Sequence, residues 1–202
     1  MENFRIIPVG ALSVNCYLIF DSTSRTLLVI DPGDDADLII SAAESFDYEH
    51  AAILLTHAHV DHIGAVPEVY RALKAEYVYL APEDADLYSS PDNHILPYLP
   101  PVAGLPVTTA RWKLENVKVI HTPGHTKGGS CFYFPAEKIL ISGDTLFAGS
   151  VGRTDLPGGS FAALEKSIRE QLLVLPEDTV VYPGHGPRTT IGNEKNGNPY
   201  LT

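Results

Sequence analysis

The sequence predicts an α/β fold in which helices cover mixed sheets. Apolar runs rich in β-branched and aromatic residues alternate with segments of helical spacing, and three of these runs come first with no helix between them. The leading runs favour an antiparallel meander, and the later alternation favours sheets covered by helices. A length of 202 residues suits one domain, so we expect a single domain over residues 1–202.

The first half of the chain carries the meander and then alternating elements. The three leading strands are predicted over residues 4–9, 14–20 and 26–31, before a turn at 31–35. The elements predicted next are a helix over 36–45, a strand over 51–55, a helix over 65–76, a strand over 77–82 and a short helix over 83–90. Five prolines between residues 91 and 112 predict a long connecting segment, and such segments are often lids or pocket walls.

The second half is predicted to contain strands that run directly into loops. A strand leads into a loop within residues 117–125, a hairpin lies within 130–147, and a last strand leads into a loop within 179–186. The clearest amphipathic helix covers residues 160–175, and Ser160 has the hydroxyl expected of its N-cap.

Composition and charge exclude several classes of function. The formal net charge is −11, which argues against nucleic acid and anionic membrane as partners because binding to phosphates needs a basic surface. The two cysteines, Cys16 and Cys131, both lie in strand-like runs, so we expect a reducing compartment rather than a disulfide framework. The N-terminus lacks the pattern of a signal peptide, and no apolar run is long enough to span a membrane. We therefore expect a cytoplasmic protein.

Potential metal ligands follow four predicted strands. The motif "THAHVDH" at residues 56–62 ends one strand, and "HTPGH", "SGD" and "YPGHG" end three others. Loops at strand ends tend to meet at one edge of a sheet, where binding sites form. The candidate ligands are His57, His59, Asp61, His62, His125, Asp144 and His185.

These residue types suit a metal centre with two ions. Imidazole and carboxylate groups bind zinc and other first-row divalent ions, and seven ligands are too many for one tetrahedral ion. We therefore expect two divalent ions, with zinc favoured and iron or manganese as alternatives. The first ion is assigned to His57, His59 and His125, and the second to Asp61, His62 and His185, with Asp144 bridging the two. A single His-x-His pair would be weak evidence, but four separate strand ends are not explained by chance.

With these motifs in this order, the chain resembles the metallo-β-lactamase superfamily over nearly its whole length. The resemblance implies a four-layer αββα sandwich with the metals at one edge of the sheets. Within the superfamily, "GDTLFAGSVGRTDLPGGS" and "GHGPRTTIGNEKNGNPYL" resemble the small glyoxalase II-like hydrolases. That group implies hydrolysis of the thioester S-lactoylglutathione, or a related acyl thioester, by a metal-bridging hydroxide that Asp61 orients.

Two further residues receive candidate roles from this resemblance. Arg153 lies where the relatives grip a substrate carboxylate with a lysine, and the alternative is a local ion pair with Asp155. Asp31 is a candidate for holding a ligand histidine in place, and the alternative is a turn-forming residue before Pro-Gly. The two-domain enzymes of this group add a C-terminal helical domain that contacts glutathione, and the chain here has no such addition after His185.

Other functions remain open at this stage. A persulfide dioxygenase would share these motifs but would bind one iron ion through His57, His125 and Asp144. β-Lactamase activity is disfavoured, because the best-known lactamases of the superfamily have a cysteine where this chain has Asp144. A metal-binding protein without catalysis is the alternative from a non-enzyme class, and the complete set of ligands argues against it.

Overall fold

A computed structural model describes residues 3–90, 93, 100–111, 114 and 116–201. It divides the chain into two compact units, Met1–Arg111 and Trp112–Thr202, which we call the first and second unit. Each unit contains its own sheet and its own buried core, so the predicted α/β class is confirmed. The four-layer arrangement and the single domain stay predictions.

The first unit is built on a six-stranded sheet in the order β1-β2-β3-β4-β5-β6. The first three strands pair antiparallel, which confirms the predicted meander, and the remaining neighbours pair parallel. Its strands are β1 (Phe4–Val9), β2 (Val14–Asp21), β3 (Thr26–Ile30), β4 (His50–Leu54), β5 (Val78–Tyr79) and β6 (Thr108–Thr109).

The helices of the first unit pack apolar faces against this sheet. They are α1 (Ala36–Ala43), α2 (Val60–Ile63), α3 (Val66–Leu73), a 3-10 turn (Pro82–Asp84) and α4 (Ala85–Ser89). Helix α3 is shorter than the predicted helix over 65–76, because Lys74 adopts a left-handed conformation with φ of 51° and ends it. The predicted strand over 77–82 is reduced to β5, since Pro82 already begins the 3-10 turn.

The proline-rich stretch falls partly outside the described residues. Within the predicted connecting segment, the residues outside the described part are 91–92, 94–99 and 112. They include His94. Strand β6, which the sequence does not predict, lies in the described part and pairs with β5.

The second unit is built on a five-stranded sheet in the order β13-β12-β9-β8-β7. The pair of β9 and β12 is parallel, and the other neighbours are antiparallel. Strands β10 and β11 form a separate two-stranded hairpin. The strands are β7 (Lys118–His121), β8 (Ser130–Phe134), β9 (Ile139–Gly143), β10 (Leu146–Phe147), β11 (Ser150–Val151), β12 (Val180–Pro183) and β13 (Thr189–Thr190).

The helices of the second unit are α5 (Phe161–Ser167) and α6 (Ile191–Gly197). The Ser160 hydroxyl accepts a hydrogen bond from the amide of Ala163, which confirms the predicted N-cap. A π-helical segment, Ile168–Leu172, continues α5 along the amphipathic stretch. Among the residues that the structure describes, no helix has the length and apolar character needed to cross a membrane.

Candidate metal centre

Three of the predicted ligand histidines lie together in the first unit, just after β4. The ring centre of His57 is 4.8 Å from that of His59 and 4.1 Å from that of His62. All three side chains are buried, with at most 3% of their surface exposed. Buried imidazoles are costly to charge, and the neutral form is the one that binds metals. The cluster therefore suits neutral imidazoles arranged around a cation.

Asp61 brings a carboxylate to the same cluster from the first turn of α2. Its Oδ2 atom lies 3.8 Å from Nε2 of His62, which is too far for a hydrogen bond. The close approach of α2 to the turn after β3 depends on Gly33, where a Cβ atom would lie 1.7 Å from the carbonyl oxygen of Asp61. A glycine is thus required for Asp61 to occupy this position.

Asp31 ties the end of β3 to the histidine cluster. It is fully buried, and its carboxylate accepts hydrogen bonds from the Thr56 amide (2.8 Å), the Thr56 hydroxyl (2.6 Å) and Nδ1 of His62 (3.0 Å). Because β3 and β4 pair parallel with Ile30 opposite Leu54, the residues that follow the two strands meet at one edge. The geometry is that expected of a residue that positions a ligand histidine.

These contacts define the protonation of two imidazoles. A carboxylate only accepts hydrogen bonds, so Nδ1 of His62 carries the proton that Asp31 receives. The Thr56 hydroxyl donates its single hydrogen to Asp31. In its 3.0 Å contact with His57 it can therefore only accept, so Nδ1 of His57 is the donor. In a neutral imidazole this leaves Nε2 of both rings with the lone pair that a metal ion needs.

The second unit gathers the other three predicted ligands. Oδ2 of Asp144 lies 3.7 Å from Nε2 of His125 and 3.7 Å from Nε2 of His185. Strands β9 and β12 are parallel neighbours with Gly143 opposite Pro183, so Asp144 and His185 leave the sheet at the same edge. Two ligand atoms that each lie about 2.1 Å from one tetrahedral ion are ~3.4 Å apart. The observed separations exceed hydrogen-bond length and are close to that value.

His125 has the same protonation as His57 and His62. Its Nδ1 is 2.7 Å from the carbonyl oxygen of Arg153, which only accepts hydrogen bonds, so Nδ1 carries the hydrogen and donates it. The preceding Gly124 has φ of 141°, and a Cβ atom there would lie 2.3 Å from the backbone of Leu164 in α5. The loop that carries His125 is therefore packed against α5, with Nε2 directed toward Asp144.

The Arg153 side chain forms the local ion pair that the sequence left as an alternative. Its Nε and one terminal nitrogen donate to Asp155 at 2.8 and 2.7 Å. The hydrogen bond from Arg153 holds the pKa of Asp155 at about 2, below its usual 3.8. The substrate-binding role of the Arg153 guanidinium stays a prediction, and its carbonyl already has a role in orienting His125.

Sequence reasoning missed two residues that hold this arrangement. Thr56 links Asp31 to His57, and Asp84, only 1% exposed, accepts a hydrogen bond of 3.3 Å from the amide of Ala58. Thr56 begins the motif itself, whereas no local signal distinguishes Asp84. His50 is exposed at the start of β4, and its Nδ1 contacts Glu76.

The donor set of each unit fits divalent metal ions. The first unit supplies three buried imidazoles and a carboxylate, and the second supplies two imidazoles and a carboxylate. Nitrogen and oxygen ligands of this kind bind zinc, iron and manganese, and the identity of the metal follows from geometry and supply. The hydrogen bonds at Nδ1 of three histidines are those that accompany metal ligation in proteins.

Comparison with known proteins identifies the family. The model of the metallo-beta-lactamase superfamily matches residues 9–185. The hydroxyacylglutathione hydrolase GloC of Haemophilus influenzae is 38% identical over 213 residues, covering 98% of each chain. Two solved structures are also similar. The B3 metallo-beta-lactamase BLEG-1 has a TM-score of 0.85 at 37% identity, covering 98% of this chain and 99% of its own. TTHA1623 in a di-iron-bound form has a TM-score of 0.83 at 40% identity, covering 98% of this chain and 100% of its own.

The similarity to these structures confirms the predicted α/β metallo-β-lactamase fold. It extends over nearly all of the chain, as the sequence motifs imply. The chain therefore belongs to the metallo-beta-lactamase superfamily of metal-binding hydrolases.

Proposed function

We propose that this protein is a metal-dependent thioesterase of the glyoxalase II type, acting on S-lactoylglutathione or a related acyl thioester in the cytoplasm. The observation that carries the proposal is the orientation of His57, His62 and His125. Hydrogen bonds at Nδ1 leave the Nε2 atom of each ring as a ligand. The name of the Haemophilus relative, hydroxyacylglutathione hydrolase, supports the choice of substrate.

The proposed ligands are those that the sequence predicts, with two divalent ions per chain. His57, His59 and His125 would hold the first ion, Asp61, His62 and His185 the second, and Asp144 both. When bound, such ions lower the pKa of a water molecule toward ~7 and polarise a carbonyl group. Zinc is the favoured metal, and the di-iron form of TTHA1623 supports iron as the alternative.

The side chains of the chain then have distinct roles in hydrolysis. Asp61 would orient the attacking water by accepting a hydrogen bond through its carboxylate. Asp31 and Thr56 keep the ring proton on Nδ1 of His62 and His57. The Nε2 atom of each ring is then available to bind metal. A thiol has a pKa of about 8.5, so the thiolate leaves without a dedicated general acid. Arg153 could grip a substrate carboxylate only by giving up part of its contact with Asp155.

Hydrolysis of β-lactams is a second candidate, favoured by the similarity to the metallo-beta-lactamase BLEG-1. The two reactions differ in the group that leaves. An amide nitrogen must be protonated as it departs, whereas a thiolate need not be. A site without a general acid is therefore expected to cleave a thioester faster than a lactam. The mononuclear-iron persulfide dioxygenase remains an alternative that would consume oxygen.

One assay panel tests these functions against each other. The purified protein is analysed for metal, and the same sample is assayed with S-lactoylglutathione, a chromogenic cephalosporin and glutathione persulfide under oxygen monitoring. We expect thioester hydrolysis with kcat/KM of at least about 10⁴ M⁻¹ s⁻¹ and about two metal ions per chain. A thioester kcat/KM below ~10³ M⁻¹ s⁻¹ together with faster lactam cleavage or oxygen uptake would overturn the proposal.

A further inference from the structure

A cavity of about 250 Å³ lies in the first unit beside Asp61. Four chain segments enclose it: residues 9–12 at the β1–β2 turn, residues 33–34 after β3, helix α2 with Gly64, and residues 100–102. Asp61 is one of its walls. The cavity therefore reaches the residue that we propose orients the attacking water, and both carboxylate oxygens of that residue are buried.

Close backbone packing fixes one side of this cavity. A Cβ atom on Gly33 would lie 1.7 Å from the carbonyl oxygen of Asp61, and one on Gly64 would lie 2.1 Å from the carbonyl oxygen of Gly33. The two glycines hold α2 and the turn after β3 in direct contact. The amide of Ala65 also donates to the carbonyl of Pro32 at 2.9 Å. This wall is thus part of the folded core and not a surface loop.

The lining is apolar except for two acidic side chains. Val9, Leu12, Val60 and Val102 contribute aliphatic surface, and Val9 and Val60 are themselves buried. Asp34 is exposed at the rim, whereas both carboxylate oxygens of Asp61 are buried, and none of the described residues that line the cavity is basic. Such a cavity favours uncharged apolar groups and repels anions.

We propose that this cavity binds the acyl chain of the thioester and selects short, uncharged, apolar acyl groups. The inference rests on the proposed thioesterase function and specifies its substrate. The acyl chain would extend between the β1–β2 turn and residues 100–102, with its carbonyl end toward Asp61.

Charge decides which arm of the thioester enters. Glutathione carries two carboxylates and one ammonium group, and placing either end of it in the cavity would take charged groups out of water beside the buried Val9 and Val60. An alkyl acyl group meets no such penalty. The thiol arm therefore lies outside this cavity, whichever thiol carries the acyl group.

Size limits the length of the acyl chain. Ligand pockets commonly measure roughly 300–1,000 Å³, so a cavity of about 250 Å³ is at the small end of that range. Each methylene group buried in it is expected to raise kcat/KM about fourfold. The gain should stop once the chain fills the cavity.

The test uses thioesters of N-acetylcysteamine, an uncharged thiol, with the metal-loaded protein. Saturated acyl groups of two to eight carbons are compared with succinyl as the anionic acyl group. We expect kcat/KM to rise about fourfold per methylene up to a plateau, and succinyl to be the poorest substrate of its length. A flat chain-length profile, or a preference for succinyl, would overturn the inference.

Two variants and one matched control locate the effect. Asp34→Asn removes the charge at the rim and should raise the ratio of kcat/KM for the succinyl thioester to that for the butyryl thioester about fivefold. Asp37→Asn, an exposed change in α1 at a residue that does not line the cavity, should leave this ratio unchanged. Val102→Phe should make kcat/KM reach its plateau at a shorter acyl chain. Equal effects of Asp34→Asn and Asp37→Asn would contradict the assignment.

Binding separates this inference from the proposed function. S-alkyl-N-acetylcysteamine thioethers are not hydrolysed, and calorimetry should show affinity rising with alkyl length and falling in Val102→Phe. If no thioester is cleaved but this pattern is found, the thioesterase proposal fails and the cavity assignment stands. If thioesters are cleaved but alkyl length has no effect on kcat/KM or affinity, only the cavity assignment fails.

Discussion

At the scale of single residues, Asp31 determines how the histidines of the first unit are presented. Its carboxylate is fully buried and receives three hydrogen bonds, two of them from Thr56 and one from His62. Its own backbone has φ of 52°, a conformation that non-glycine residues seldom adopt. A strained, buried carboxylate persists only where the surrounding contacts over-determine it, and here those contacts lead to two candidate metal ligands.

Replacing Asp31 should weaken metal binding more than it disturbs the fold. In Asp31→Asn the amide has one acceptor oxygen for three donors, so at least one donor faces an NH₂ group. We expect metal affinity to fall roughly 10- to 100-fold and the free energy of unfolding to fall by ~1–3 kcal/mol. Competition with a chromogenic chelator measures the first quantity, and Asp37→Asn is the control. Unchanged metal affinity would remove Asp31 from the positioning role.

The predicted assignment of ligands to ions can be tested with two histidine variants. His57→Ala and His62→Ala should each lose about one metal ion per chain, and the ion lost should differ, because the first ion is assigned to His57 and the second to His62. Metal analysis gives the number, and the spectra of the cobalt-substituted variants distinguish the remaining ion. Identical spectra for the two variants would contradict the assignment.

The Arg153–Asp155 pair predicts a specific pH dependence of stability. The pKa of Asp155 is about 2 in the folded protein, whereas an aspartate without partners has a pKa of 3.8. The carboxyl group is therefore more acidic when the chain is folded. Its contribution is present above pH 3.8 and is lost as the pH falls through the folded value. The difference in unfolding free energy between wild type and Asp155→Asn should therefore be present at pH 7 and vanish near pH 2.

Denaturant titration at several pH values measures this difference. High salt should reduce it, because both side chains are exposed. A difference that grows as the pH falls would have the wrong sign for this ion pair. Asp178→Asn offers a comparison, since Lys138 likewise lowers the pKa of Asp178 at an exposed position.

At the scale of elements, the sequence predicts long segments well and short ones poorly. The meander, α1, β4 and α5 were all predictable because their apolar patterns extend over several residues. Strands β6 and β10 have two residues each and carry no periodicity, so only pairing with a neighbour defines them. Strand β13 and helix α6 follow a loop rich in polar and glycine residues and also escaped prediction.

The candidate ligands were predictable for a related reason. They follow strands whose apolar runs are clear, and parallel pairing of β3 with β4 and of β9 with β12 brings strand ends to one edge of each sheet. Not all of the groups that orient these ligands were predictable. Asp84 acts from a distant helix-turn segment, and the Arg153 carbonyl is a backbone group that no side-chain pattern reveals.

The packing of α2 against the turn after β3 predicts a sharp difference between two glycines. Gly33→Ala places a Cβ atom 1.7 Å from the Asp61 carbonyl, so the turn or the helix must move. We expect the free energy of unfolding to fall by roughly 3 kcal/mol, with weaker metal binding because Asp61 moves. Gly197→Ala, in α6 with no atom within 4 Å of the added group, should leave stability unchanged or slightly higher. Chemical denaturation of both variants checks this, and equal losses would contradict it.

At the scale of the whole molecule, metal binding should contribute to the stability of an acidic chain. The formal net charge is −11, and like charges repel in the compact state. Bound divalent cations would offset part of that repulsion. The proposed ligands lie in residues 57–62 and in residues 125–185, far apart along the chain. Loss of metal should therefore lower the stability of more of the chain than the candidate centre itself.

Removal of metal should lower the Tm, because ions that bind only the folded chain stabilise it. At a free metal concentration of about 100 times Kd, one ion contributes ~2.7 kcal/mol. For a chain of this size each kcal/mol corresponds to roughly 2–4 °C, so stripping one such ion should lower the Tm by about 5–11 °C. Calorimetry before and after treatment with a chelator, followed by addition of zinc, measures the change and its reversal. His62→Ala, which lacks a ligand of the second ion, should show a smaller chelator effect than the wild type. A Tm that does not change although metal analysis shows complete removal would contradict preferential binding of metal to the folded chain.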